Sequence, residues 1–325
     1  MVEAATRTVP FLKLLLADAG SLNHAVAVCL KNPRKLMVRG VRKTVRRMEG
    51  DLTLFKLLRS HMPPDPRQST RIRKCLRHIG RAAGAVRDLD VQIDLVKVGS
   101  GSEPDRETGA PDDPRNDGTE SLLKHLERRR EKKAEHLVHA LRKTDHPLAV
   151  ALRGLEDVLG NSRLPAVPPK EVATLIEGWF RKNTAGINHS IASMDESQKG
   201  KGEIGKATTV CEIADLHALR KYVKLCRYMV ESLPLNSGSI LALTTQLKAI
   251  QTAGGIWHDW LLLEITSKKH SGKDVGLTER YAKSCHYALI EYRKRLAGLE
   301  WLRPGVVLLP MQRRSSPVHD SRHGL

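Results

Sequence analysis

Arg39-Gly40-Val41-Arg42-Lys43-Thr44-Val45-Arg46 and His217-Ala218-Leu219-Arg220-Lys221-Tyr222-Val223-Lys224 are the two stretches that decide how this chain folds. Each carries basic side chains at i, i+3, i+4 and i+7, and a constant offset of 178 residues relates them. With about 100° of rotation per helical residue, the four positions stay on one narrow face. Neither row holds a carboxylate. Like charges at i, i+4 cost a few tenths of a kcal/mol per pair (~0.2–0.5) in an isolated helix. Two such rows in one chain therefore point to an anion that meets them.

Opposite the first row lie Val38, Val41, Val45, Met48, Leu52 and Phe55, an apolar stripe of the width expected for a core-facing helix. Almost every periodic segment has helical spacing, and strand signals are nearly absent. Helices are expected over Phe11–Leu30, Arg34–Arg59 and Arg67–Val98, followed by a polar, disordered loop at 99–118. A basic helix is expected over Thr119–Thr144 and a shorter one near 147–159. After a proline linker at Pro165–Pro169 the pattern restarts, with helices at Glu171–Met194, Thr209–Leu233, Ile240–Lys269 and Leu277–Leu299.

The restart is an internal repeat. Leu76, Arg77 and Ile79 answer to Leu247, Lys248 and Ile250, and Gly84-x-x-Arg87-Asp88 answers to Gly255-x-x-His258-Asp259, now at an offset of 171. A longer turn around Pro63–Arg67 absorbs the difference. Four long helices per copy fit a four-helix bundle. The fold expected is all-α: two tandem four-helix bundles, residues 1–164 and 165–302, related by internal duplication and a pseudo-two-fold, with a disordered basic tail at 303–325. Pseudo-symmetry would let the basic rows face a shared central surface.

The totals agree with an anionic partner. Net charge is +19 over 325 residues, which favours nucleic acid, polyphosphate or an anionic membrane. With three Phe, four Trp and five Tyr, the chain has few platforms on which single-stranded bases could stack. Five scattered cysteines read as reduced thiols of a cytoplasmic protein rather than a disulfide frame. Lys13 interrupts the apolar start of the chain, and no apolar run approaches the ~18 residues that span a bilayer.

His217-x-x-Arg220-Lys221-x-x-Lys224-x-x-Arg227-Tyr228-x-x-Glu231 resembles the signature of the CHAD domain, the conserved histidine α-helical domain. Gly84-x-x-Arg87-Asp88-Leu89-Asp90-Val91 resembles its second hallmark, taken to close the third helix. The resemblance covers roughly residues 10–300. It implies two four-helix bundles flanking a basic channel that binds inorganic polyphosphate, and an association with polyphosphate granules. Three departures stand out: Arg39 occupies the place of the family's histidine, Glu49 the place of an arginine matching Arg227, and His258-Asp259 the place of the more usual Arg-Asp or Asn-Asp.

Polyphosphate offers charge and oxygen acceptors but no bases. Arginine forks and movable lysine ammonium groups together suit such a chain. The candidate contacts are Arg39, Arg42, Lys43 and Arg46 on the second helix, and His217, Arg220, Lys221, Lys224 and Arg227 on the sixth. The third helix adds Lys74, Arg77, His78 and Arg81, and the seventh adds Lys248. Arg128, Arg129, Lys132 and Lys133 are interleaved with Glu127, Glu131 and Glu135, the pattern of a solvated face. Beside phosphates, His217 is expected to gain a proton more readily. Asp88 and Asp259 are expected to pair with basic side chains and fix helix ends, and Tyr228 and Trp257 to lie in the core.

Gly200-x-x-x-x-Gly205-Lys206 imitates a phosphate loop, but Ala207 follows and no strand precedes it. No HExxH or paired CxxC occurs, so neither a zinc site nor a cofactor is expected. No nucleophile–base pair can be assembled, and binding rather than catalysis is the reading. The alternative is a helical nucleic-acid-binding protein that contacts only the phosphate backbone.

Overall fold

The computed structural model describes residues 10–58, 66–101, 114–160, 167–198, 210–232, 238–270 and 275–299. Among these residues every regular element is helical. The order is α1 (Pro10–Lys31), α2 (Lys35–Leu57), α3 (Pro66–Gly101), α4 (Pro114–Gly160), α5 (Pro169–Gln198), α6 (Val210–Glu231), α7 (Gly238–His270) and α8 (Val275–Ala297).

The apolar stripe of α2 is buried throughout, from Val38 to Phe55. It meets α1 and α3 on its own side, and α1 closes against α4. Helices α5 to α8 pack in sequence, each on the next, but α5 and α8 lack the packing that joins α1 to α4. The two halves meet through α2 on α6 and α3 on α7. One apolar cluster runs through both, holding Val41 and Leu76 together with Leu219, Leu247 and Trp257. The halves thus share a core rather than owning one each.

Three expectations about helices need correction. The fourth and fifth expected segments form one helix of 47 residues, α4, with Pro147 inside it. A proline removes one ladder hydrogen bond. Lys143, whose carbonyl loses that bond, and Pro147 are both exposed, so water can take the freed carbonyl. The continuous length is explained by two separate dockings. Leu122 and Leu126 pack in a satellite cluster with Leu263 and Tyr281, while Leu137, Leu148 and Leu155 enter the main core.

Second, α3 runs on to Gly101 and α4 begins at Pro114, so 99–101 and 114–118 of the expected loop are helical, and 102–113 lie outside the described residues. The imitation phosphate loop and the tail at 303–325 also lie outside them. Third, Phe11–Lys31 is long and apolar enough to cross a membrane by length and composition. Its Leu15, Leu22, Val26 and Cys29 are nevertheless fully buried in the shared core, so α1 is used as a core helix here.

The crossing of α2 and α6 is unusually close. A Cβ built on Gly50 would stand 2.7 Å from Cβ of Tyr228 and 3.4 Å from the Met229 nitrogen. Beside it, Ser232 Oγ donates to Asp51 Oδ1 at 2.5 Å in a fully buried setting. Gly40, one face away on α2, has open space where its Cβ would be. Gly40→Ala should therefore stabilise the fold by about 0.5–1 kcal/mol through helix propensity. Gly50→Ala should destabilise it by ~1–3 kcal/mol through overpacking. Urea midpoints measure both, and equal midpoints would mean that α2 and α6 do not approach as described.

Candidate functional site

At the junction of α2, α3, α6 and α7 lies a cavity of about 430 Å³. Its walls include Arg42 and Arg46 from α2, Arg81 from α3, and Arg220, Lys221 and Lys224 from α6. Glu49 and Asp88 are the carboxylates among the lining residues, and His217, His258 and Tyr228 complete the polar and aromatic wall. Helical spacing explains the arrangement. The apolar side of each helix is committed to the shared core, and the basic row that follows it round the helix is carried to the rim of the α2–α6 crossing.

Part of this charge is balanced internally. Arg42 Nη1 donates to Asp88 Oδ1 at 3.1 Å and to the Gly84 carbonyl at 3.3 Å. A Cβ at residue 84 would lie 3.6 Å from Arg42 Nη1, in ordinary van der Waals contact with it. Arg46 Nη1 donates to Glu49 Oε2 at 2.6 Å. Glu49 thereby takes up one arm of Arg46 where an arginine would have added charge.

The rest is not balanced. Burial, then the guanidinium groups of Arg42, Arg46, Arg220 and Arg227, push the Lys224 ammonium down to about 7. Burial also lowers Arg220, against the pull of Asp259. Arg46 Nε, Arg220 Nε and His258 Nδ1 are buried and make no hydrogen bond. A buried polar group left unsatisfied costs about 1–3 kcal/mol. A cavity with several such donors and an excess of cations favours an anionic ligand with many oxygen acceptors.

Of the residues singled out from sequence, Arg42, Arg46, Arg81, His217, Arg220, Lys221 and Lys224 converge on the cavity. Arg39, Lys43, Lys74, Arg77, His78 and Lys248 are exposed outside its wall. Arg227 is engaged elsewhere: it donates to Glu231 and Gln251, each at 2.7 Å, and lies over the Tyr228 ring. The α4 cations Arg128, Arg129, Lys132 and Lys133 are solvent-exposed. Tyr228 and Trp257 are buried, and neither forms a stacking platform.

Burial, followed by Lys221 and Arg220, pushes the His217 imidazole down to about 4, with Asp88 acting in the opposite sense. The His258 ring lies tilted against that of His217, ring centroids 4.7 Å apart, and is held down to about 3 by burial and Arg220. Asp88 and Asp259 differ from expectation, since α3 and α7 continue past them to Gly101 and His270. They are mid-helix counter-charges rather than helix ends. Burial raises Asp259, which Arg87 opposes most strongly and Asp88 reinforces.

Sequence reasoning passed over His258, Gly84 and Leu225 as wall residues. His258 was visible as the departure within the Gly-x-x-His-Asp motif, and Gly84 as the motif's glycine. Leu225 carried no signal.

The profile of the CHAD domain matches residues 22–266. Among solved structures, the CHAD domain from the plant Ricinus communis is similar in fold, at 17% identity and a TM-score of 0.51, covering 91% of this chain and 92% of that one. PptA from Streptomyces chartreusis is similar at 15% identity and a TM-score of 0.57, covering 89% and 98% respectively. No curated protein sequence matches the chain.

Lys224 makes the site sensitive to pH. The groups facing it are Arg42, Arg46, Arg220 and Arg227, and the wall adds Glu49, Asp88, His217 and His258. A multivalent anion would raise the Lys224 pKa above about 7. Binding then takes up a proton, so affinity should be greatest below that pH and fall as pH rises above it. Calorimetry with tripolyphosphate in buffers of different ionisation enthalpy should show this uptake at pH 8. Lys224→Arg, permanently charged, should remove it; unchanged uptake in that variant would exclude Lys224 as the source.

Proposed function

The chain belongs to the CHAD domain family, and from that premise we propose that its cationic cavity binds inorganic polyphosphate. The observation that carries this reading is the convergence of Arg42 and Arg46 with Arg220, Lys221 and Lys224 on one cavity. In this reading the helix pairs α2/α6 and α3/α7 are duplicates related by a pseudo-two-fold. Exposed Arg39, Lys43, Lys74, Arg77, His78 and Lys248 extend the cavity into a basic channel along which the polymer lies. The role is binding rather than turnover, in the cytoplasm and on polyphosphate granules.

The physical case rests on what the ligand lacks. A polyphosphate chain needs donors and positive charge at close spacing and no surface for bases. The cavity supplies arginine forks, two lysine amines, of which Lys224 takes up its proton as the anion binds, and unsatisfied N–H donors. Its lining aromatic, Tyr228, is already covered by Arg227. These features favour polyphosphate over single-stranded nucleic acid. Duplex DNA is too wide for a cavity of this volume and would meet only the exposed cations.

Charge reversal separates a site from general attraction. Arg220→Glu and Lys221→Glu should each weaken long-chain polyphosphate binding by at least about tenfold, ~1.4 kcal/mol. Arg129→Glu, on the solvated face of α4, should change it less than about threefold. Affinity should fall steeply with salt, and duplex DNA at equal phosphate should not displace the polymer. Fluorescence titration with labelled polyphosphate measures all of these. Equal losses at Arg220, Lys221 and Arg129, or ready displacement by DNA, would contradict the proposal.

A further inference from the structure

Lys224 has chemistry that a purely electrostatic site does not require. It lies on α6 in the cavity wall, partly buried. The carboxylates of that wall are taken up by other cations: Glu49 by Arg46 and Asp88 by Arg42. Among the described residues Lys224 makes no hydrogen bond or ion pair. Its neighbours Arg42, Arg46 and Arg220 offer guanidinium groups that can hold a phosphate beside the amine. A lysine desolvated among other cations loses its proton easily and becomes a nucleophile.

We infer that Lys224 is a covalent modification site for phosphorylated aldehydes and ketones, with the arginines seating the phosphate and the amine attacking the carbonyl carbon. This rests on the reading that the cavity takes phosphate, but not on the identity of the polymer. The neutral amine's lone pair forms the C–N bond, and the carbonyl oxygen takes one amine proton to become the carbinolamine hydroxyl. Loss of that hydroxyl together with the remaining amine proton, as water, leaves the imine. No oxidant, reductant or metal enters. The adduct places a phosphate and an organic group where a polyanion would lie, so a modified site is closed to it.

Other lysines frame the comparison. Lys43 and Lys248 are exposed outside the cavity wall, and Lys221, exposed in the wall, is lowered by burial, then by Arg220 and Arg46; a lysine free in water, with a pKa near ~10.4, is only about 0.1% neutral near pH 7.4. Lys224, pushed down to about 7, is mostly neutral at that pH. Its lower basicity weakens the amine as a nucleophile, so the expected advantage in rate is about tenfold or more rather than the full ratio of neutral fractions.

The test uses the full-length protein with pyridoxal 5′-phosphate as probe. Brief exposure, borohydride reduction and peptide mass mapping should place the first adduct on Lys224, at least about tenfold ahead of Lys43, Lys221 or Lys248. Pyridoxal, which lacks the phosphate, should label Lys224 at a small fraction of that rate. Lys224→Arg keeps the charge and should abolish the fast adduct, with circular dichroism confirming its fold. Even labelling across all lysines, or equal labelling by pyridoxal, would overturn the inference, and both are read on the unmutated protein. Long-chain polyphosphate should protect Lys224. Fast labelling that polyphosphate does not slow would sustain this inference while removing the polyphosphate reading.

Discussion

The close crossing of α2 and α6 at Gly50 and Tyr228 is the constraint on which the site depends. Two helices that each carry a row of cations repel, and the repulsion grows as they approach. They are nevertheless packed so tightly that a single added Cβ would collide with Tyr228. The opposing force is the shared core. Val41, Val45 and Met48 on one helix and Leu219, Val223 and Cys226 on the other are fully buried in one cluster. Burying one such side chain is worth ~1.5–3 kcal/mol, and Asp88 and Glu49 take up part of the opposing repulsion. The apolar term wins, and the charges are carried together as a consequence.

Local counter-charges decide which cations stay available. Asp88 and Glu49 engage Arg42 and Arg46 directly, and Glu231 draws Arg227 aside. On α6, Lys224 has no such partner. The arrangement resembles a partly discharged site: enough carboxylate to keep the arginines ordered, with one ammonium group and several N–H donors still unsatisfied. The Asp51–Ser232 contact adds a buried polar tie between α2 and the end of α6. Burial raises the Asp51 carboxyl to about 7, with Ser232 acting in the opposite sense and Asp18 adding to the rise. Its folded pKa exceeds the ordinary 3.8, so its contribution to stability declines as pH rises from about 4 to 7.

The helices and their inner faces were legible because apolar spacing and core burial are the same signal. Every stripe residue from Val38 to Phe55 is buried as its period requires. The convergence of α2 with α6 was foreshadowed by their basic rows, which share one spacing and lack carboxylates. The break expected after Thr144 does not occur, because two distant dockings keep α4 continuous through Pro147. The titration of His217 was not legible, because it depends on three-dimensional neighbours: its own helix supplies Lys221 and Arg220, and the fold adds burial and Asp88. Glu49 was visible as a departure, but only geometry shows it seated on Arg46.

If α2 and α6 form one site, their cations must act together on a single bound chain. The direct measurement is a double-mutant cycle on polyphosphate affinity with Arg46→Ala, Lys221→Ala and the pair, residues on different helices that feel each other electrostatically. A shared site predicts a coupling energy of at least about 0.5 kcal/mol. Strict additivity would mean that the two rows bind independently, and would contradict the account.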